Sequence, residues 1–166
     1  NIKELNINEL FSRGIPAGEE RVEGEVLSEF KYTREEPVGF GVYDGHIVRC
    51  GRGGIRLLDV ESVEQWSKPL LLNKPMVKSS GSYLLVADSG GKDIYLLKGR
   101  SIRWNEKLEN AIINADVNKK GYVSVVTEKE SYKGEVIVYD SYWNWMFTTA
   151  RAEDFILSAR VLASSQ

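Results

Sequence analysis

The chain has 166 residues, 42% of them hydrophobic and 28% charged, with 22 Lys+Arg against 24 Asp+Glu for a net charge of −2. That length suits one domain or part of a larger one, the charge offers no basic field to nucleic acid, and no apolar run reaches the roughly 20 residues needed to span a bilayer. One cysteine, Cys50, excludes a disulfide framework and a multi-cysteine zinc site, and one histidine, His46, excludes sites built on two imidazoles.

The first residue is Asn1 rather than Met, and the expectation is a chain processed or cut from a longer product, with no signal-peptide pattern behind it. Residues 1–21 form a separate N-terminal segment. Ile2, Leu5, Leu10 and Phe11 have loose helical spacing before Gly14-Ile15-Pro16-Ala17-Gly18 breaks the pattern. A short docked helix or an ordered tail is expected there, or else a helix offered to a partner. Residues 22–33 partly alternate apolar and polar and suit a strand that covers an exposed sheet edge.

From about residue 38 the chain repeats itself. A glycine after a turn leads into an apolar strand, a polar loop, a second apolar strand, a turn and an aromatic. The first copy runs Gly45 to Cys50, Ile55 to Asp59 and Trp66. The second runs Gly81 to Val86, Ile94 to Lys98 and Trp104, and the third Gly121 to Val126, Val136 to Asp140 and Phe147. The glycines stand 36 and 40 residues apart, and most of the drift lies in one loop, where added length costs little. In the second copy Met76–Ser79, Tyr83–Ala87, Ile94–Leu97 and Ser101–Trp104 make four strands with turn residues between them. A period near 40 with four short strands per unit is the signature of propeller blades. The fold predicted is therefore all-β and β-propeller-like: an incomplete propeller over 22–166, with about three four-stranded antiparallel blades at 38–72, 75–110 and 113–153. Partial flanking strands accompany them, including the start of a further blade at 155–162, after which the chain stops inside a repeating unit.

Ile55-Arg56-Leu57-Leu58-Asp59 followed by Trp66 resembles the repeat of quinoprotein-type and WD40-like propellers. Three further stretches carry a closer resemblance: Gly51 to Asp59, Val86 to Tyr95, and Ala111 to Val117 followed by Gly121-Tyr122-Val123. Through them residues 30–162 resemble an uncharacterised family of membrane-anchored propeller proteins of Gram-positive, mainly clostridial, bacteria. The resemblance implies one N-terminal membrane helix and an external propeller of more blades, of which this chain is an N-terminal piece lacking the anchor. Two departures from the quinoprotein repeat argue against quinone binding. Lys98 stands where the other copies have Asp59 and Asp140, and Trp143 occupies a turn position where Gly is expected.

Few residues point to chemistry. Gly51-Arg52-Gly53-Gly54 lacks the helix that a phosphate loop aims at its anion and reads as a hairpin turn. Asp88, Asp93 and Asp116 lie near turns without calcium-loop spacing and suit bonds to backbone amides. Cys50 reads as a buried thiol, and Trp66 and Trp104 as packing between blades. His46 is a strand-surface or rim residue, or a pH-responsive ligand contact. The run Ser141 to Phe147 has four aromatics in seven residues where a hairpin should be polar, and strict alternation puts Trp143, Trp145 and Phe147 on one side. Three uses remain open for it: packing between blades, a subunit contact, or a platform for glycan or peptide. Trp143, Trp145, Phe147 and His46 are thus the candidate partner or ligand contacts.

No catalytic, metal or cofactor site is expected. The function expected is a non-catalytic module for protein interaction, sensing or scaffolding at the extracytoplasmic face, with a protein partner or self-association through open blade edges. It has no nucleic-acid partner and meets the membrane only through the absent anchor. The alternative is a fragment of a propeller enzyme that acts on glycans or uses a quinone.

Overall fold

The computed structural model describes residues 2–5, 30–33, 36–129, 132–151 and 156–162. Every element in it is a strand. The first two, β1 (Ile2–Leu5) and β2 (Phe30–Thr33), pair antiparallel as a two-stranded sheet. Ile2 and Leu5, two of the four residues with loose helical spacing, therefore lie on a strand, and the rest of the segment expected to hold a short helix, residues 6–21, lies outside the described residues. Ile2 and Leu5 satisfy a helical spacing, but four residues set too little of a period to choose helix over strand, and the ladder to Phe30–Thr33 decides it. Leu10 and Phe11, and residues 22–29 of the expected covering strand, lie outside the described residues.

The other twelve strands make three four-stranded antiparallel sheets in meander order. Blade one holds β3 (Gly39–Tyr43), β4 (His46–Gly51), β5 (Gly54–Leu58) and β6 (Glu64–Lys68). Blade two holds β7 (Pro75–Ser80), β8 (Tyr83–Asp88), β9 (Asp93–Lys98) and β10 (Ser101–Lys107). Blade three holds β11 (Ile112–Val117), β12 (Val123–Lys129), β13 (Tyr132–Tyr139) and β14 (Trp145–Arg151). Strand β7 lies against β3 and β4, and β11 against β7 and β8. The first strand of each blade is therefore innermost and the fourth outermost, which is the stacking of a propeller.

Both faces of a middle strand are apolar because both are covered. Every residue of Tyr83–Asp88 is buried. Leu84 and Val86 join Val48, Cys50, Ile55 and Leu57 in the core between blades one and two. Tyr83, Leu85 and Ala87 join Ile112, Ala115, Val123 and Val125 between blades two and three. A sheet buried on two sides reads as a continuous apolar run rather than an alternating one. A third, smaller cluster on the far face of blade three holds Val126, Val136 and Val138, with Ile113, Ile156, Ala159 and Val161 against it.

Blade packing brings backbones together at the inner rim. A Cβ on Gly39 would stand 2.8 Å from the Pro75 carbonyl oxygen at the start of β7. Tyr43 locks the same pair of blades through its phenol, which donates to the Ser82 carbonyl at 2.6 Å and accepts from the Gly99 amide at 2.7 Å. Two turns of blade two are thereby tied to one side chain of blade one. Lys98, the residue that departs from the repeat, precedes the second of these turns, a tight two-residue hairpin with Gly99 at φ 61°. The longer aspartate-capped loop of the other blades has no place there.

The strand expected at 155–162 appears in altered form. Residues 156–162 have no strand pairing. They lie along blade three, where Asn114 donates its side-chain amide to the Leu157 carbonyl at 3.0 Å and Ser124 its hydroxyl to the Ala159 carbonyl at 2.9 Å. Arg160 meets Asp116 at 3.3 Å. This is the position that β7 takes on blade one. The segment sits where the inner strand of a next blade belongs, and among the described residues no second strand pairs with it.

Cys50 is fully buried, as its apolar strand predicts. Burial pushes its thiol up to about 12, with a smaller contribution from the Asp88 charge. In the unfolded chain a thiol ionises near pH ~8.5, so its contribution to stability is complete below that pH and is lost as pH rises toward 12. Tyr43, Tyr95 and Tyr139 are also raised, chiefly by burial, and act from about pH 10 upward. Urea unfolding between about pH 8.5 and 10 should lose up to ~1.4 kcal/mol per pH unit, and Cys50→Ala should flatten that limb. The close approach at Gly39 predicts that Gly39→Ala costs about 1–3 kcal/mol in the same assay, whereas Gly53→Ala, with open space around it, stays within about 0.5 kcal/mol.

Candidate functional site

A five-residue loop recurs at the turn end of the blades. It closes blade one's outer hairpin from Asp59 to Val63, blade three's inner hairpin from Asn118 to Tyr122, and blade three's outer hairpin from Asp140 to Asn144. In each, the first residue's side-chain oxygen accepts two backbone amides. Asp59 takes Glu61 and Val63 at 3.0 and 2.9 Å. Asn118 takes Lys120 and Tyr122 at 2.9 and 3.1 Å. Asp140 takes Tyr142 and Asn144 at 2.8 and 2.9 Å. The backbone closes each loop in the same way, with Ser62, Gly121 and Trp143 donating to the first residue's carbonyl. All three have positive φ, at 68°, 84° and 68°. The Asn144 side-chain amide leads the contacts that hold the Asp140 carboxyl below its usual range.

Trp143 therefore sits in a left-handed conformation that a bulky residue rarely adopts. Its ring is held on both sides, stacked on Tyr139 at 3.8 Å and tilted against Trp104 of blade two at 4.4 Å. Blade two also grips the loop backbone. Arg103 Nε and Trp104 Nε1 both donate to the Ser141 carbonyl, at 2.6 and 3.2 Å, and the Arg103 guanidinium lies 4.1 Å from the centre of the Tyr142 ring. Of the three uses open for this segment, Trp143 serves packing between blades.

Trp145 and Phe147 do not share its side. Each outermost strand carries a bulge before the repeated aromatic, at Gln65, Arg103 and Met146. The extra residue breaks the alternation of faces. Trp145 pairs with Tyr139, on the face toward blade two, and Phe147 with Val138, on the face away from it. The expectation of a single aromatic face is corrected accordingly. Trp66 and Trp104 hold the same bulge-following position as Phe147 and are packed on their neighbouring blades. Phe147 is 52% exposed and Trp145 64%. The indole of Trp145 donates to Thr148 at 2.8 Å.

His46 follows a hairpin in which Asp44 and Gly45 have φ of 50° and 71°, the pattern of a type I′ turn. Its Nδ1 donates to the Asp44 carbonyl at 2.6 Å, so the imidazole braces its own turn. His46 lies on the inner hairpin of blade one and Trp143 on the outer hairpin of blade three. The structure does not bring them together. Arg52 and Gly53 form the β4–β5 turn, as expected of that glycine-rich stretch. Asp88 is buried and accepts the Asn73 and Lys74 amides at 3.0 and 2.6 Å, anchoring the connection between blades one and two.

Sequence reasoning missed a cleft of about 300 Å³ between the outer halves of blades two and three. Strand pairing places Thr127, Glu135, Ile137 and Tyr139 on the blade-two side of their sheet, because they share the ladder with Val123 and Val125 of the core. Glu106 shares the facing side of blade two with Trp104, and Glu109 comes from the connection to β11. Apolar stacking gives way there to carboxylates. Glu135 is paired with Lys129. The Tyr139 phenol is raised first by burial and then by the charges of Glu135, Glu106 and Glu109.

Residues 20–157 match a family of unknown function, DUF5711. The chain belongs to the DUF5711 family. No curated protein matches it in sequence. Its structure is similar to three solved propellers. BamB from Moraxella catarrhalis matches at 12% identity and TM-score 0.53, over 67% of this chain and 33% of BamB. A eukaryotic initiation factor matches at 10% and 0.58, over 74% of this chain and 34% of the factor. BBS1N, solved in complex with ARL6DN, matches at 16% and 0.53, over 74% of this chain and 43% of BBS1N. The DUF5711 chain thus shares the propeller fold and spans about a third to two fifths of the length of these propellers.

The two tryptophans of the aromatic segment separate by stability. Trp143→Ala should cost this DUF5711 chain about 2–4 kcal/mol in urea unfolding, through lost stacking on Tyr139 and Trp104. Trp145→Ala, on an exposed side chain, should stay within about 1 kcal/mol.

Proposed function

We propose that this DUF5711 chain is a non-catalytic propeller module for protein interaction, sensing or scaffolding, working at the extracytoplasmic face of the cell within a membrane-anchored protein. The observation that carries the interaction reading is Phe147. It occupies the place where Trp66 and Trp104 are packed on a neighbouring blade, yet half its surface is open. On the same face of blade three, toward its inner strands, residues 156–162 present an extended backbone that is tethered by side chains and carries no partner strand among the described residues. An exposed apolar sheet face and an unpaired extended backbone are each templates for another strand or sheet. A second copy of the chain supplies such a sheet.

Several of the polar side chains near the turns are engaged in holding the blades, which favours the non-catalytic reading. Asp59, Asn118 and Asp140 close loops, Asp88 anchors a connection, and Tyr43 joins two turns. The BBS1N propeller was solved in complex with a protein, ARL6DN, which fits a platform role for this shape. The outer-face location rests on the resemblance of residues 30–162 to membrane-anchored propellers.

Sedimentation across a wide concentration range tests self-association. The wild-type chain should associate as concentration rises, and Phe147→Asp should abolish this while leaving the unfolding midpoint nearly unchanged. A strict monomer at high concentration overturns the self-association reading. Turnover of glycans or of artificial electron acceptors by the intact protein overturns the non-catalytic one.

A further inference from the structure

The cleft between blades two and three contains an unusual orphan. Thr127 is 1% exposed, and its hydroxyl has no hydrogen-bond partner among the described residues. It lies on the wall that faces blade two and lines the cleft. Folded proteins rarely leave a buried hydroxyl unpaired, because its lost hydration is not replaced. The groups around it share a chemistry. Glu106, Glu109 and Glu135 supply carboxylates, and the stacked rings of Tyr139 and Trp143 supply an aromatic wall. Lys107 also lines the cleft, and Lys129 pairs with Glu135. Two cations against three carboxylates leave the cleft negative. The Tyr139 phenol, raised first by burial, is raised further by these three carboxylates.

We propose that this cleft binds an alkylammonium cation, either the end of a lysine side chain or a short free diamine. The ammonium donates to the carboxylates and to the Thr127 hydroxyl, which becomes an acceptor. The alkyl stem lies along the Tyr139–Trp143 wall, where the ring faces also attract positive charge. The volume of about 300 Å³ is at the small end of ligand sites and suits a chain of four or five carbons.

Trp143 lines the cleft, so tryptophan fluorescence reads occupancy. The chain is titrated with cadaverine, with acetyl-Gly-Lys-Gly-amide, and with 1-pentanol as the uncharged control, at fixed ionic strength. Saturable binding of either cation and none of pentanol is expected, and the tighter cation identifies the source. Glu106→Gln, at an exposed position, should weaken binding about tenfold with the unfolding midpoint nearly unchanged. Thr127→Val should raise the thermal midpoint of the free protein by a few degrees, since it removes an unpaired hydroxyl, and weaken binding. Saturation by neither cation overturns the proposal. So does equal binding of pentanol, or a Thr127→Val variant that binds as the wild type does.

Discussion

A four-stranded sheet with apolar side chains on both faces cannot stand in water, and the architecture of this chain follows from that constraint. Each blade covers one face of its neighbour. The middle strands can then be buried throughout, as Tyr83–Asp88 is. Stability is shared between neighbours in the manner of a repeat protein, through intrinsic sheet pairing and one interface at a time. Gly39 and Tyr43 set how closely blades one and two approach, one by lacking a side chain and the other by bonding across the gap. Arg103, Trp104 and Trp143 do the same for blades two and three by other means. The interfaces are equivalent in position and different in chemistry.

The far face of blade three differs from the two buried interfaces, and the functional reading grows from it. Blade three offers the next position a small cluster of valines, the extended segment 156–162 and an uncovered Phe147. The surface is apolar for the same reason that the buried interfaces are. The proposed contact face and the core thus obey one rule.

The repeat itself was legible because each blade restates the same apolar strands and turn residues about every 40 positions. That was enough for the blade pattern, for the burial of Cys50 and for the packing of Trp66 and Trp104. The bulges were not legible. Gln65, Arg103 and Met146 have no common chemistry, and an added residue in a short strand looks like ordinary alternation carried one step further. The faces of Trp145 and Phe147 were misassigned for that reason. The helical spacing of Ile2 and Leu5 misled because four residues fit more than one period. The acidic cleft had no linear signal. Glu106, Thr127 and Glu135 lie on three strands of two blades and meet only through their register.

The recurring five-residue loop separates backbone from side chain at its fourth position. Ser62, Gly121 and Trp143 occupy it with nearly the same geometry, because the capping oxygen and the closing amides, not the fourth side chain, hold the turn. What the fourth position can hold is set by its neighbours instead: a Cβ at Gly121 would meet the Tyr83 ring at 2.6 Å, whereas the Trp143 indole lies between Tyr139 and Trp104. One turn geometry thus serves two ends, a close approach of blades at Gly121 and an aromatic wedge between blades at Trp143.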